Sequence, residues 1–273
     1  MNALVVIPAR WGSTRFPGKP LAPVRGVPML QRVWALARAA AASRGGEGRV
    51  VIATDDDRIA AFAAGLGAEA VMTDPAICNG TERAAAVLAR LGTRPDLVVN
   101  LQGDAVLTPP WVVAALLEAG RDPAVRMVTP AARMSAEALA RLTAAKAAGE
   151  VGGTTVVTAR NGDALYFSKS IIPFRRSGAE DVPVLRHIGL YGYRPETLEA
   201  LVALPMGPLE RAESLEQLRA LEHGIPIRVV EVDYRGRTHW GVDSEDDLRR
   251  CEALIEAEGE LLDRWDGTGS ARA

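Results

Sequence analysis

Cysteine, histidine and aromatic residues are scarce in this chain. Its 273 residues include two cysteines and three histidines, and only 5% are aromatic. Cys78 and Cys251 lie far apart, without metal-ligand spacing, which leaves a reducing, cytoplasmic setting as the expectation. The few aromatics argue against a stacking platform for single-stranded nucleic acid. Neither sign of charge dominates, since the formal net charge is −2. A general nucleic-acid or membrane-surface role is therefore not expected, and any cationic chemistry must be local. No apolar run reaches the roughly 18 residues of a membrane-spanning helix. The N-terminus opens on a strand pattern rather than a charged leader with an apolar segment, so no secretory signal is expected.

What is present is a hydrophobic fraction of 48%, enough for a sizeable core. Ala3–Ile7 is apolar and β-branched, as a buried strand is. Leu30, Val33, Trp34 and Ala37 then recur at helical spacing. Strands are expected at Arg49–Thr54, Glu69–Thr73 and Leu97–Leu101, and helices within Asp57–Gly65, over Thr81–Leu91 and from Pro110 to Leu117. This alternation predicts an α/β fold with a mainly parallel sheet covered by helices on both faces. The pattern changes after about residue 150. Asn161-Gly162 between Thr154–Ala159 and Ala164–Phe167 signals a hairpin, and a polar stretch, Arg175–Val184, follows. One strand over His187–Tyr193, two helices, a strand at Ile227–Val232 and a last helix from Ser244 complete the pattern, with Asp247 placed for a capping box. The simplest organisation is one domain over residues 1–265, with an excursion near 150–185 and a frayed tail at 266–273.

The stretch from Pro8 through Lys19-Pro20-Leu21 carries the strongest chemical signal. It holds Arg10, Gly12, Ser13, Arg15 and Lys19 in a proline-stiffened loop directly after the first strand. Ligands of open α/β sheets bind at the carboxyl edge, and a basic, glycine-containing loop there suits a polyphosphate. It is not a P-loop, because Gly12 and Gly18 are too far apart and Lys19 is followed by Pro20. Gly65-Leu66-Gly67-Ala68-Glu69-Ala70 fits a dinucleotide pattern formally, but it follows a helix and precedes a strand, the reverse of the required context. Asp104 ends a buried strand, and Asp243 follows another after a short segment. Two aspartates meeting a cationic loop suggest magnesium shared between carboxylates and phosphate. Asp55-Asp56-Asp57 contains an Asp-x-Asp, which is either a sugar-nucleotide metal motif or a helix N-cap cluster.

Taken together, these residues resemble the 3-deoxy-manno-octulosonate cytidylyltransferase (CMP-Kdo synthetase) family, collinearly over about residues 3–255. The resemblance runs through Pro8-Ala9-Arg10, Lys19-Pro20-Leu21, Ala53-Thr54-Asp55, Gly80-Thr81-Glu82-Arg83 and Asn100-Leu101-Gln102-Gly103-Asp104. It continues in Ala164-Leu165-Tyr166-Phe167-Ser168, in Arg186 to Tyr193, in Leu215-Glu216-Gln217-Leu218-Arg219 and in Gly241-Val242-Asp243. It implies a mixed sheet similar to the glycosyltransferase-A type and a homodimer using the excursion. It also implies transfer of CMP from CTP to an acidic eight-carbon sugar for lipopolysaccharide assembly. By the same resemblance, the opening loop and Arg83 serve the nucleotide, and Gln102, His187, Tyr191, Glu216 and Gln217 serve the sugar. Asp104 and Asp243 hold Mg2+, with Lys19 among the catalytic groups.

Three positions depart from the family pattern. Its Gln-Gly-Asp-Glu-Pro reads Gln102-Gly103-Asp104-Ala105-Val106 here, a strand lysine is Thr155, and Ser-Arg is Ser168-Lys169. The acceptor is the open question these raise, with Ala105 the expected determinant. The alternatives are a cytidylyltransferase for a sialic-type or amino-substituted acid, a glycosyltransferase using Asp55 and Asp57, and a catalytically inactive nucleotide-binding paralogue.

Overall fold

The computed structural model describes residues 1–12, 16–43, 48–92, 94–179 and 181–262. The first half comprises β1 (Ala3–Pro8), a short β2–β3 pair (Pro23–Val24 and Val27–Pro28), α1 (Met29–Ala42), β4 (Arg49–Thr54), α2 (Asp57–Gly65) and β5 (Glu69–Met72). It continues with α3 (Gly80–Leu91), β6 (Leu97–Asn100), α4 (Pro110–Ala119) and β7 (Met127–Arg133). The second half holds α5 (Ala136–Ala147), the hairpin β8–β9 (Thr155–Thr158 and Ala164–Ser168), β10 (Leu185–His187) and β11 (Tyr191–Tyr193). It ends with α6 (Pro195–Ala203), α7 (Pro208–Glu213), α8 (Gln217–Glu222), β12 (Ile227–Glu231) and α9 (Glu245–Glu258).

β1 is the spine of the mixed sheet. It pairs in parallel with β4 on one side and β6 on the other, and β5 extends the parallel block beyond β4. Buried on both faces, β1 is apolar throughout and splits its side chains by the two-residue period. Val5 and Ile7 enter the core built with α1, α4 and α9, while Leu4 and Val6 enter the one built with α3, α6 and α8. Beyond β6 the pairing turns antiparallel through β11 to β7, then through β10 to the β8–β9 hairpin. β12 adds in parallel to β7. Among the described residues no helix is long and apolar enough to cross a membrane.

The structure corrects the expected single strand over His187–Tyr193. His187 faces Ala131 and Gly192 faces Val128, so four intervening residues on one side, 188–191, oppose two on the other, 129–130. The excess is a bulge at Ile188–Leu190, which lets β10 neighbour β8 while β11 neighbours β6. Pro130 sits opposite this bulge, where the ladder is interrupted and its missing N–H costs nothing; its carbonyl accepts from the Ile188 amide at 3.1 Å. Pro130 also explains why β7 does not read as a strand in the sequence. Three helices rather than two follow β11, because Ser214 takes a left-handed conformation (φ 50°) that stops α7 before α8 begins. The capping box at the start of α9 forms as expected: Ser244 Oγ accepts from the Asp247 amide and the Asp247 carboxylate accepts from the Ser244 amide.

Candidate active site

Because β1, β4 and β6 run parallel, the segments after Pro8, Thr54 and Asn100 leave the sheet along one edge. The Ala9 amide donates to Ala53 O at 2.8 Å, and Gly103 packs so close to the chain after β1 that a Cβ there would lie 2.5 Å from Pro8 O. Only glycine permits this approach, and it sets Asp104 beside the opening loop. That loop closes where the Gly18 amide donates to Trp11 O at 3.1 Å, with Gly18 left-handed (φ 73°) against the Trp11 ring. The Arg58 guanidinium stacks on the same ring at 3.5 Å. Lys19 then opens a 3-10 turn, Lys19–Leu21.

A cleft of about 330 Å³ lies at this edge, lined by Arg10, Lys19, Arg83, Gln102, Asp104 and Asp243 among others. The Lys19 ammonium donates to Asp104 Oδ2 at 2.8 Å, to Val242 O at 2.8 Å and to Asp243 Oδ1 at 3.4 Å. Two carboxylates from opposite halves of the chain thus converge on one cationic position. Among the described residues no three His, Cys, Asp or Glu side chains converge on a metal position. The pair therefore suits a hard cation that fills its remaining ligand positions with water and phosphate, as Mg2+ does. The N-terminus of α3 also opens here: Cys78, Asn79 and Gly80 line the cleft, and Asn79 caps the helix by accepting from the Glu82 amide at 2.8 Å. The positive end of its dipole favours an anion.

Arg83 forms part of the wall, yet its guanidinium is held by the protein. It donates to Asp55 Oδ2 and Ile77 O, each at 2.9 Å, and to the Thr73 hydroxyl. This pair engages Asp55, while Asp56 caps α2 by accepting from the Arg58 amide and Asp57 lies in its first turn. The N-cap reading of the acidic triplet holds.

A second polar cluster continues from the cleft into the sheet. A Cβ on Gly80 would touch the side chains of Gln102 and Asn100, and Gln102 Nε2 donates to Asn100 Oδ1 at 3.2 Å. Asn100 pairs across the sheet with Tyr191, whose ring lies 5.5 Å from that of His187. Thr129 Oγ1 has one proton and donates it to Leu190 O at 2.8 Å, so it accepts from His187 Nε2–H at 2.9 Å. Phe167 meets the imidazole edge-on, and burial, with His239 adding to it, pushes the His187 pKa down to about 3. Burial pushes the Tyr193 phenol up, and the nearby Glu216 carboxylate adds to it. Burial raises the Glu216 pKa, against the opposing effects of Thr81 and Arg219. Arg219 also clamps buried Glu210 with two bonds of 2.7 and 2.6 Å, fixing α8 and hence Gln217. Among the described residues Gln217 Nε2 and Asn100 Nδ2 are buried donors without a partner.

The whole of this arrangement lies within a chain that matches a family model described as cytidylyltransferase over residues 4–229. The chain belongs to the cytidylyltransferase family. It is 56% identical, over 96% of its length and all of the relative's, to a 3-deoxy-manno-octulosonate cytidylyltransferase of Maricaulis maris. It is 45% identical over 94% of its length, and 98% of the relative's, to one of Anaeromyxobacter dehalogenans. An 8-amino-3,8-dideoxy-manno-octulosonate cytidylyltransferase of Shewanella baltica is 40% identical, over 93% and 99% of the two chains. A solved CMP:2-keto-3-deoxy-manno-octonic acid synthetase complexed with CTP superposes with a TM-score of 0.81 and 38% identity, covering 94% of this chain and all of that one.

Within this cytidylyltransferase family member, Arg10, Lys19, Arg83, Gln102, Asp104 and Asp243 share one cleft. Tyr191 and, beside it, His187 adjoin the cleft through Asn100, which lies against Gln102 and Gly80. Glu216 is close enough to Tyr191 and Tyr193 to push both phenols up, and Gln217 follows it, buried, in α8. Gly12 is exposed and does not line the cleft, and Ser13 and Arg15 lie outside the described residues. Ala105, the expected acceptor determinant, packs partly buried against the core and is not among the residues lining the cleft. Thr155 is buried, and its hydroxyl spans Ser170 O and the Ile172 amide, a purely local tie. Sequence reasoning gave no role to Asn100, Thr81, Thr129 or the Val242 carbonyl. A polar residue closing the apolar run Leu97–Val99 was the available signal for Asn100.

The neutral state of His187 has a pH signature. Its ordinary pKa is 6.5, so between about pH 6.5 and 3 the unfolded chain takes up a proton that the folded one refuses. Its contribution to stability is complete above pH 6.5 and falls as the pH drops through that window. The His187 ring resonance is expected to stay flat from pH 8 to 5 in a proton NMR titration; an inflection near 6.5 contradicts the buried, neutral assignment.

Proposed function

We propose that this chain transfers CMP from CTP to the anomeric hydroxyl of 3-deoxy-manno-octulosonate and releases pyrophosphate. The observation that carries the reading is the meeting of Asp104 and Asp243 on the Lys19 ammonium, in a cleft into which a helix N-terminus opens. The high identity to relatives named for this reaction supports the acceptor.

In this reading the triphosphate lies along Arg10, Lys19 and the start of α3. These groups take up the charge that grows on the leaving pyrophosphate. The sugar acid lies deeper, against Gln102, Tyr191, Glu216, Gln217 and His187. The orphan amide donors of Asn100 and Gln217 suit its carboxylate and hydroxyl oxygens. Neutral His187, with Nε2–H committed to Thr129, offers Nδ1 as an acceptor for a sugar hydroxyl. The anomeric oxygen attacks the α-phosphorus in line, its new bond replacing the one to pyrophosphate. Asp104 and Asp243 would hold Mg2+, which when bound lowers the pKa of the attacking hydroxyl and neutralises phosphate charge. No covalent enzyme intermediate is needed.

The chain is further proposed to act as a homodimer through the 150–185 excursion. Val151, Leu165, Phe174 and Val182 are large apolar side chains exposed there, Phe174 at 88%. Large apolar side chains exposed in one segment suit a protein–protein contact. Sedimentation equilibrium should show a dimer that Phe174→Asp weakens; a monomeric parent protein contradicts this.

Pyrophosphate release with four nucleoside triphosphates and a panel of sugar acids tests the activity. The expected substrates are CTP and 3-deoxy-manno-octulosonate, ahead of the 8-amino analogue and sialic acids. Asp104→Asn and Asp243→Asn should each lower kcat about a thousandfold while melting as the parent does. Turnover near normal in either variant, or a preference for another nucleotide, contradicts the assignment.

A further inference from the structure

We propose that Lys19 and the divalent cation compete for the same two carboxylates, so that the free enzyme holds the cation poorly until the nucleotide's phosphates draw Lys19 away. This rests on the reading of Asp104 and Asp243 as the metal pair.

An ammonium has three N–H donors. Lys19 spends them on three partners: Asp104 Oδ2 at 2.8 Å, Val242 O at 2.8 Å and Asp243 Oδ1 at 3.4 Å. Its hydrogen-bonding capacity is filled by the protein. A phosphate oxygen can therefore gain a bond from Lys19 only when one of these is given up, and the long contact to Asp243 is the weakest. The cation, for its part, would need the carboxylate oxygens that the ammonium already occupies. A monovalent and a divalent cation within about 4 Å of each other repel strongly at a partly shielded site, and the Lys19 side chain is only 17% exposed.

Release of Lys19 requires little else to move. Its backbone is fixed by bonds of its own amide to Phe16 O at 3.2 Å and of the Ala22 amide to its carbonyl at 3.1 Å. Its four-carbon stem supplies the swing. The exchange improves the charge balance: at rest one ammonium faces two carboxylates and leaves one negative charge uncompensated, whereas a divalent cation matches both carboxylates and frees the ammonium for the triphosphate. Nucleotide and cation thus strengthen one another's binding, and the coupling is reciprocal. Lys19 is the element that links them.

The test is Mn2+ binding to the full chain without nucleotide, read from the electron paramagnetic resonance signal of free Mn2+. Lys19→Met and Lys19→Gln should each bind Mn2+ about tenfold more tightly than the parent, because two partly shielded ion pairs no longer oppose it. Lys19→Arg, which keeps a cation, should bind like the parent, and Asp104→Asn should bind more weakly than any of them. If both neutral variants match the parent or bind less tightly while Asp104→Asn loses affinity, the competition is overturned and the metal pair stands. If Asp104→Asn and Asp243→Asn leave Mn2+ binding unchanged, the metal pair itself fails and the competition with it.

Discussion

The Lys19 ammonium ties together three pieces of chain that the sequence keeps apart: the loop after β1, the end of β6 and the segment leading into α9. Around it sit two carboxylates and a backbone carbonyl. The cluster is therefore short of positive charge by one unit, and it faces a helix N-terminus that attracts anions. A site so arranged is poised for a polyanion that arrives with a divalent cation. The parallel register of β1 and β6 makes the meeting possible, because it delivers the opening loop and the turn carrying Asp104 to the same edge, where the segment leading into α9 adds Val242 O and Asp243. Gly103 makes it close, because no side chain separates the turn after β6 from Pro8.

The deeper half of the site depends on an irregularity rather than on regular pairing. The bulge at Ile188–Leu190 shifts β11 onto β6 while β10 stays with β8. His187 and Tyr191 consequently come within ring contact, next to Asn100, and Thr129 fixes the imidazole proton on the nitrogen facing it. Burying a histidine, a tyrosine and two amides together is costly unless each gains a partner. Two amide nitrogens have none among the described residues, and these are the groups that a hydroxyl-rich acid would satisfy.

The parallel block was legible in the sequence because its strands are short apolar runs whose period changes cleanly to that of the intervening helices. The opening loop and Asp104 were legible because each directly follows such a run. Asp243 was less secure, since its place depends on a segment with no regular structure. β7 was hidden by Pro130, which is tolerated only because the opposite strand bulges there. α5 carried a readable signal, Ser135 ahead of an alanine-rich stretch, and Ser135 does accept from the Ala138 amide. Ala105 follows Asp104 in sequence, yet it packs partly buried against the core while Asp104 lines the cleft.

A crystal structure of the chain with CTP and Mn2+, using the anomalous signal of manganese, tests the central claim most directly. The account predicts one manganese peak between the Asp104 and Asp243 carboxylates, with the Lys19 ammonium transferred to a phosphate oxygen and the triphosphate along the start of α3. Manganese on the Asp55–Asp57 segment, or a triphosphate bound away from this cleft, would contradict it.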